Sequence, residues 1–174
     1  MSAPRTSRPN RPARPARPAA MAPPGVDMMD RTHRQTQQAL DQMLQLAGLL
    51  AGPGQEQAAA PLAREICDFF NGPARGHHEL EETLVFPALL AQGDAALREH
   101  VRRLQQDHMW LEEDWLELEP HLQAVASGYC SEHRNFLQAG LAEFAGLCHE
   151  HMALEESLVH PDARRGLVTP GAQA

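Results

Sequence analysis

Residues 77–87 read HHELEETLVFP, and residues 151–161 read HMALEESLVHP. The two stretches align without a gap and share seven of eleven residues, so they form an internal repeat. Each contains a histidine followed four residues later by a glutamate: His77 with Glu81, and His151 with Glu155. Side chains at this spacing lie one turn apart on the same face of a helix. The repeat therefore predicts two matching helical turns, each offering an imidazole and a carboxylate.

The chain around the repeat has helical periodicity, since β-branched residues are few and apolar residues recur every three or four positions. Helices are predicted over about 27–51, 61–92, 94–120 and 131–160. Asp94 is expected to cap the third helix and Pro120 to bend or stop it, whereas residues 71–73 should kink or split the second. Short connections make consecutive helices antiparallel neighbours. We therefore predict an all-α, up-down-up-down four-helix bundle over residues 27–165.

Length and charge limit the number of domains and the classes of partner that the chain can have. A chain of 174 residues corresponds to one domain at the usual ~100–200 residues per domain. Residues 1–26 hold five arginines, no acidic residue and seven of the fourteen prolines, which predicts a disordered tail. Residues 166–174 are predicted to be a flexible C-terminus. The net charge of −8 leaves −13 for residues 27–174, which argues against a nucleic-acid-binding domain.

Hydropathy and cysteine content predict the cellular compartment of the protein. The longest apolar run, around residues 40–51, is interrupted by polar residues and falls short of the ~20 apolar residues of a membrane span. We therefore expect no membrane association. The three cysteines, Cys67, Cys130 and Cys148, form no C-x-x-C pair, and their odd number fits a reducing compartment. A cytoplasmic protein is predicted.

Ionisable residues occupy positions at which a helical bundle requires apolar ones. The buried seam of the third helix reads Leu97, Val101, Leu104, His108, Leu111, Trp115, Leu118 and Leu122. The seam of the second helix reads Ala74, His77, Glu81, Leu84 and Ala88. The same spacing turns His33 inward on the first helix, and His151 and Glu155 inward on the fourth. All four helices thus aim ionisable groups at one core.

These six residues together predict a metal centre. A buried charge without a partner costs several kcal/mol, and a cation coordinated by the same groups removes that cost. Two facing H-x-x-x-E turns can supply two bridging carboxylates, and the four imidazoles can be divided between two metal ions. The metal ligands predicted in this way are His33, His77, Glu81, His108, His151 and Glu155. Manganese or zinc would also accept this donor set, so the residues alone do not select the metal.

One choice of register remains open at this point. His78 precedes Glu82 by the same four residues, so this pair could replace His77 and Glu81. The alignment of the two repeats favours His77 and Glu81.

The order of a histidine, an H-x-x-x-E turn, a second histidine and a second H-x-x-x-E turn resembles the hemerythrin-like family, also called the HHE cation-binding domain. The resemblance covers about residues 27–165 and includes all six predicted ligands. It implies a non-haem di-iron centre with a bridging oxide or hydroxide. Members of the family bind or sense oxygen, respond to nitric oxide or iron, or help to repair iron–sulfur clusters.

The resemblance favours a module that binds or senses a small ligand, namely oxygen, nitric oxide or peroxide, or iron itself. The alternatives are a redox enzyme or iron–sulfur-repair protein with the same centre, and a bundle stabilised by a redox-silent metal. Oxygen-carrying relatives use a fifth histidine, and no obvious one is present in this sequence. Glu112 stands one turn after His108, where that histidine is expected, and this departure argues against reversible oxygen carriage. Those relatives also tend to place the acidic ligand of the last helix five residues after its histidine, which would select Glu156, whereas the alignment of the repeats favours Glu155.

Overall fold

The structure, a computed structural model, describes residues 24–52, 54–129, 134–159 and 161, with side chains from residue 28 onward. Four helices account for nearly all of these residues, which include no strand. Helix α1 is Pro24–Leu50, α2 covers 56–92, α3 is Ala95–Ala126 and α4 covers 134–159. The all-α prediction is confirmed, and none of these helices is long and apolar enough to cross a bilayer.

The predicted terminal segments fall largely beyond this description. Residues 1–23 of the predicted tail and the predicted C-terminal segment 166–174 lie outside the described residues. The last three residues assigned to the tail, 24–26, form the start of α1.

Helix α2 is continuous, although it combines α-helical and π-helical turns. Its successive parts are Glu56–Phe69, the π turn Phe70–Ala74, Arg75–Leu80, the π turn Glu81–Val85, and Phe86–Gln92. The split expected at residues 71–73 is absent because Pro73 falls inside a π turn, where the α-helical hydrogen-bond ladder is already interrupted. Helix α4 likewise consists of Arg134–Leu154 followed by the π turn Glu155–Val159.

Helix α3 begins where the sequence predicts and ends later than expected. The side chain of Asp94 accepts a hydrogen bond of 2.8 Å from the backbone N–H of Leu97, which confirms the predicted N-cap. The helix does not stop at Pro120 but continues to Ala126. Leu118 and Leu122, on either side of the proline, are both buried. Burial of this apolar face outweighs the roughly 3 kcal/mol that a proline costs inside a helix.

The four helices pack in a ring, in which α1 and α3 each contact both α2 and α4. Buried apolar residues form two clusters, a larger one around Leu40, Ile66 and Phe144, and a smaller one around Phe86 and Val101. On every helix the six predicted ligands fall between the residues of the larger cluster and those of the smaller one. A polar layer therefore crosses the bundle between two apolar layers.

The predicted buried positions are correct up to the π turns that begin at Glu81 and Glu155. All eight seam positions of α3 are buried. In α2 the prediction is correct through Glu81 and then wrong by one position, because Leu84 is exposed and Val85 is buried. In α4 the same spacing predicts Leu158 in the core after Glu155, but Leu158 is only half-buried and Val159 is buried. A π turn holds more residues than an α turn, so the residues that follow it rotate relative to the core.

The contribution of the α3 N-cap to stability can be tested by substitution of Asp94. Asp94→Ala should lower the free energy of unfolding by about 1 kcal/mol, because the N–H of Leu97 loses its acceptor at the helix start. Asp94→Asn is the matched control, since asparagine caps a helix nearly as well. Urea denaturation of the metal-loaded chain measures both variants. Equal losses for alanine and asparagine would contradict the capping role.

Candidate metal centre

Two glutamates, Glu81 on α2 and Glu155 on α4, lie in the middle of the bundle and are fully shielded from solvent. Each is the first residue of a π turn, so the repeat in the sequence is also a repeat in the structure. Such turns are rare in proteins, and those that do occur are often found at functional sites. His77 and His151, four residues before these glutamates, are also buried. The two H-x-x-x-E turns face each other across the core.

One group of donor atoms surrounds Oε2 of Glu155. Nε2 of His33 lies 2.9 Å from this oxygen and 3.1 Å from Nε2 of His77. Nε2 of His77 lies 3.9 Å from the same oxygen, and 3.5 Å from Oε2 of Glu81. Donors that bind one metal ion at about 2.0–2.2 Å lie about 3–4 Å from one another. This group therefore has the dimensions of a metal site.

A second group surrounds the other oxygen of Glu155. Its Oε1 lies 2.8 Å from Nε2 of His151 and 3.7 Å from Nε2 of His108. Nε2 of His108 also lies 3.4 Å from Oε2 of Glu81. The four residues place their donor atoms within 4.8 Å of one another. Glu155 thus offers one oxygen to each group.

A fifth imidazole lies beside the second group. The ring of His78 stacks on that of His108 with a centroid distance of 4.1 Å and meets the ring of His151 edge-on at 5.5 Å. Donor atoms of these three histidines lie within 4.8 Å of one another. The expectation that the chain lacks a fifth histidine near the centre is therefore wrong. His77 and His78 are not alternatives, because each contributes to a different donor group.

The buried donors are short of hydrogen-bond partners. Among the described residues, neither oxygen of Glu81 or Glu155 is hydrogen-bonded, nor is Nε2 of His108 or either ring nitrogen of His151. Short distances such as 2.8 Å between His151 and Glu155 occur, but the angles do not suit a hydrogen bond. Buried polar groups are almost always paired. A cation at the point where these atoms converge would satisfy them together, so the residues fit the metal that the sequence predicts.

The pKa values describe how the same groups share charge when no metal is bound. Burial and the charge of Glu155 raise the pKa of Glu81. Burial opposes ionisation of Glu155, but the imidazoles of His108, His151 and His33 outweigh it, and its pKa lies well below its ordinary value. Burial likewise disfavours the imidazolium of His108, yet the two glutamates raise its pKa to about 10. An incoming cation must therefore displace protons from this cluster.

His78 differs from the other imidazoles in its electrostatics. Burial, together with the neighbouring His108 and His151, lowers the pKa of His78 well below its ordinary value. Its ring is therefore neutral near pH 7 and has a lone pair available for a metal ion.

The other register alternatives occupy the periphery of the cluster. Glu82 is 34% exposed, and its Oε1 lies 2.9 Å from Nδ1 of His108. Glu156 is 60% exposed, and its Oε1 lies 3.2 Å from Nδ1 of His33. Both glutamates contact the outward nitrogen of a histidine and not the converging donors. The structure brings together all six residues chosen from the sequence, with Glu81 and Glu155 at the centre.

A small cavity of about 40 Å³ adjoins the cluster. One wall consists of donor residues, including His77, His78 and Glu155, and the other is mainly apolar. The apolar wall includes Phe70, Leu111, Trp115 and Phe144. Arg75 and Glu112 line the cavity where it approaches the surface, and two hydrogen bonds join them into an ion pair. Glu112 is thus committed to Arg75, and its oxygens are not part of a donor group among the described residues.

With one buried seam per helix, the sequence predicts His78 only as an alternative to His77 and not as a residue that lies near the centre together with it. Consecutive residues point about 100° apart around a helix, so His77 and His78 cannot both lie on one seam. In the bundle, however, α2 contacts two neighbouring helices, and the side chain of His78 reaches one of them, α3, at the flank of the seam. The doublet of histidines at the head of the first repeat was the available signal.

Comparison with known proteins agrees with this geometry. The model of the hemerythrin HHE cation-binding domain family matches residues 24–163. An uncharacterized protein of Haemophilus influenzae is 28% identical over 134 residues, which cover 76% of this chain and 75% of that protein. No solved structure matches the chain significantly. With the family match spanning the whole bundle and the His/Glu clusters at its centre, this chain belongs to the hemerythrin HHE cation-binding family and is a hemerythrin-like metal-binding protein.

Proposed function

We propose that this protein holds a non-haem di-iron centre with which it binds or senses a small ligand such as oxygen, nitric oxide or peroxide. The observation that carries the proposal is the position of Glu155. Its two oxygens belong to two different donor groups, one with His33 and His77, the other with His108 and His151. A site for a single metal ion does not need a carboxylate shared between two donor groups, whereas a site for two metal ions needs such a carboxylate as a bridge.

The donor set favours iron over zinc and manganese. His108 and His151 share the second position with oxygens of Glu81 and Glu155, and His78 adds an imidazole beside them, whereas structural zinc sites are closed at four ligands and are commonly built with cysteine. The set contains no thiolate and is rich in imidazole. Imidazole suits iron, whereas manganese is found with carboxylate, carbonyl and water ligands. We therefore assign iron to both positions.

The cavity supports a small exogenous ligand. One water molecule needs about 10–15 Å³ of such cavity volume, so a cavity of about 40 Å³ has room for a molecule of two or three heavy atoms. Trp115 and Phe144 give this space an apolar wall. When bound, the two irons supply the redox change and the free coordination position that such a ligand requires. Because all four helices carry donors, a change at the centre can move any of them.

The first experiment is elemental analysis of protein purified in air, with a near-ultraviolet and visible spectrum before and after reduction. Two irons per chain with absorption that reduction removes would support the proposal. Zinc retained after the metal-free protein is offered ferrous iron would instead favour the redox-silent, metal-stabilised bundle. Steady-state consumption of peroxide would favour the redox enzyme over the binding or sensing module.

Substitution of a donor residue should change the number of metal ions bound per chain according to the donor group to which that residue belongs. His33→Ala should reduce two metals per chain to one, because His33 contributes only to the first group. Glu155→Ala should abolish binding of both, because it removes the shared carboxylate. His149→Ala is the matched control on α4: its Nε2 contacts Gln37 at 3.2 Å, away from the donor groups. Elemental analysis after iron loading measures all three. Two metals retained in Glu155→Ala would contradict the bridge.

Metal removal should lower the midpoint of thermal unfolding. A metal that binds only the folded state adds about 2.7 kcal/mol when present at 100 times its dissociation constant. Its removal also leaves Glu81, Glu155 and their imidazoles to satisfy one another in the core. Differential scanning calorimetry with chelator, and again after metal is restored, measures the shift. Glu155→Ala serves as control, since its midpoint should not respond to metal.

The ion pair at the mouth of the cavity should control access. Arg75→Ala removes the bonds to Glu112 and should raise the association and dissociation rates of nitric oxide several-fold without changing metal content. Stopped-flow mixing with the reduced, iron-loaded protein measures these rates. Arg134→Ala, which breaks an ion pair of 3.0 Å with Glu56 at the other end of the bundle, is the control. Unchanged rates in Arg75→Ala would show that the ligand enters elsewhere.

A further inference from the structure

The second glutamate of each repeat has a common role in the geometry. Each repeat contains two consecutive glutamates, of which the first lies among the donor atoms. The second, Glu82 in α2 and Glu156 in α4, contacts the outward ring nitrogen of a histidine on another helix. Glu82 reaches His108 on α3, and Glu156 reaches His33 on α1. The same contact is thus made twice by equivalent residues of the repeat.

These two histidines have no central glutamate on their own helix. His77 and His151 each precede a central glutamate by one turn, at 3.5 and 2.8 Å, and their own helix fixes the relation between imidazole and carboxylate. Four residues after His33 stands Gln37, and the glutamate four residues after His108, Glu112, is paired with Arg75 and lies outside the donor groups. Their rings therefore need to be oriented by another helix.

We propose that Glu82 and Glu156 are positioning residues for the metal centre. Each accepts the Nδ1–H of its histidine, which leaves the Nε2 lone pair of that ring directed at the metal. This inference rests on the proposed metal site. A ligating histidine that donates its other N–H to a carboxylate has a fixed tautomer and ring orientation, and loss of such a partner typically weakens metal binding about 10- to 100-fold.

The two contacts differ in how firmly they are held. Glu82 is the less exposed of the two, and its Oε2 accepts a hydrogen bond of 2.7 Å from Gln105 on α3. Glu156 is 60% exposed, and its contact to His33 is longer, 3.2 Å against 2.9 Å. Solvent competes more strongly for an exposed pair. We therefore expect Glu82 to contribute more to metal affinity than Glu156.

The affinity experiment uses the full chain and competition with a chromophoric chelator for ferrous iron and, separately, for zinc. Glu82→Ala should weaken binding about 10- to 100-fold and Glu156→Ala by a smaller factor. Glu82→Gln should recover most of the loss, because the amide oxygen still accepts the Nδ1–H. Glu79→Ala, which removes an exposed glutamate one turn earlier on α2, and Glu143→Ala on α4 are the matched controls.

A spectroscopic measurement separates positioning from a general effect on stability. In the zinc-loaded, ¹⁵N-labelled chain, the Nδ1–H of His108 should give a slowly exchanging proton signal, because its hydrogen bond protects it from water. The signal should persist in Glu82→Gln and disappear in Glu82→Ala. Wild-type affinity in Glu82→Ala, or persistence of the signal there, would overturn the inference. A wild-type chain that takes up no metal would refute the proposed function itself, so the two failures are distinguishable.

Discussion

Two carboxylates, those of Glu81 and Glu155, are buried in the middle of the bundle, and their burial dictates which residues surround them. Neither is exposed to solvent, and an isolated carboxylate in a protein interior is strongly destabilising. The fold therefore has to surround them with compensating charge. It does so from every helix, with imidazoles that can carry protons in the metal-free state or direct lone pairs at a metal ion.

This constraint explains why the polar layer lies between two apolar clusters. The clusters around Leu40 and around Phe86 hold the helices together on either side of the donors and exclude water from them. Donors from four helices converge only when the whole ring has formed, so the site cannot form in part of the bundle. The π turns that begin at Glu81 and Glu155 belong to the same arrangement. They rotate the residues after each glutamate, so Val85 and Val159 face the smaller cluster.

The fold and the six central residues could be predicted because both follow from regular helical periodicity. The seam of α3 is a regular heptad-like pattern, and all of its positions are buried, with His108 among them. The errors arise where that regularity fails. Leu84 is predicted in the core and is exposed, because a π turn cannot be read from residue types, and α3 continues past Pro120 because Leu118 and Leu122 are buried on either side of it. The sequence offers His78 only in place of His77, because the neighbour of His78 lies on the flank of the seam, which is a property of the ring of helices and not of α2 alone.

The doublet of His77 and His78 makes the two halves of the repeat unequal. The second repeat has Met152 in place of the second histidine, so one donor group has three imidazoles and the other has two. In the proposed centre, the position with His33 and His77 therefore has fewer protein ligands and more room for an exogenous one. In the same proposed centre His78 would supply the fifth imidazole that Glu112 does not, so the residue at position 112 is no longer an argument against oxygen binding. Reversible oxygen binding and sensing would both be compatible with this donor set, because each needs a coordination position that the protein leaves free.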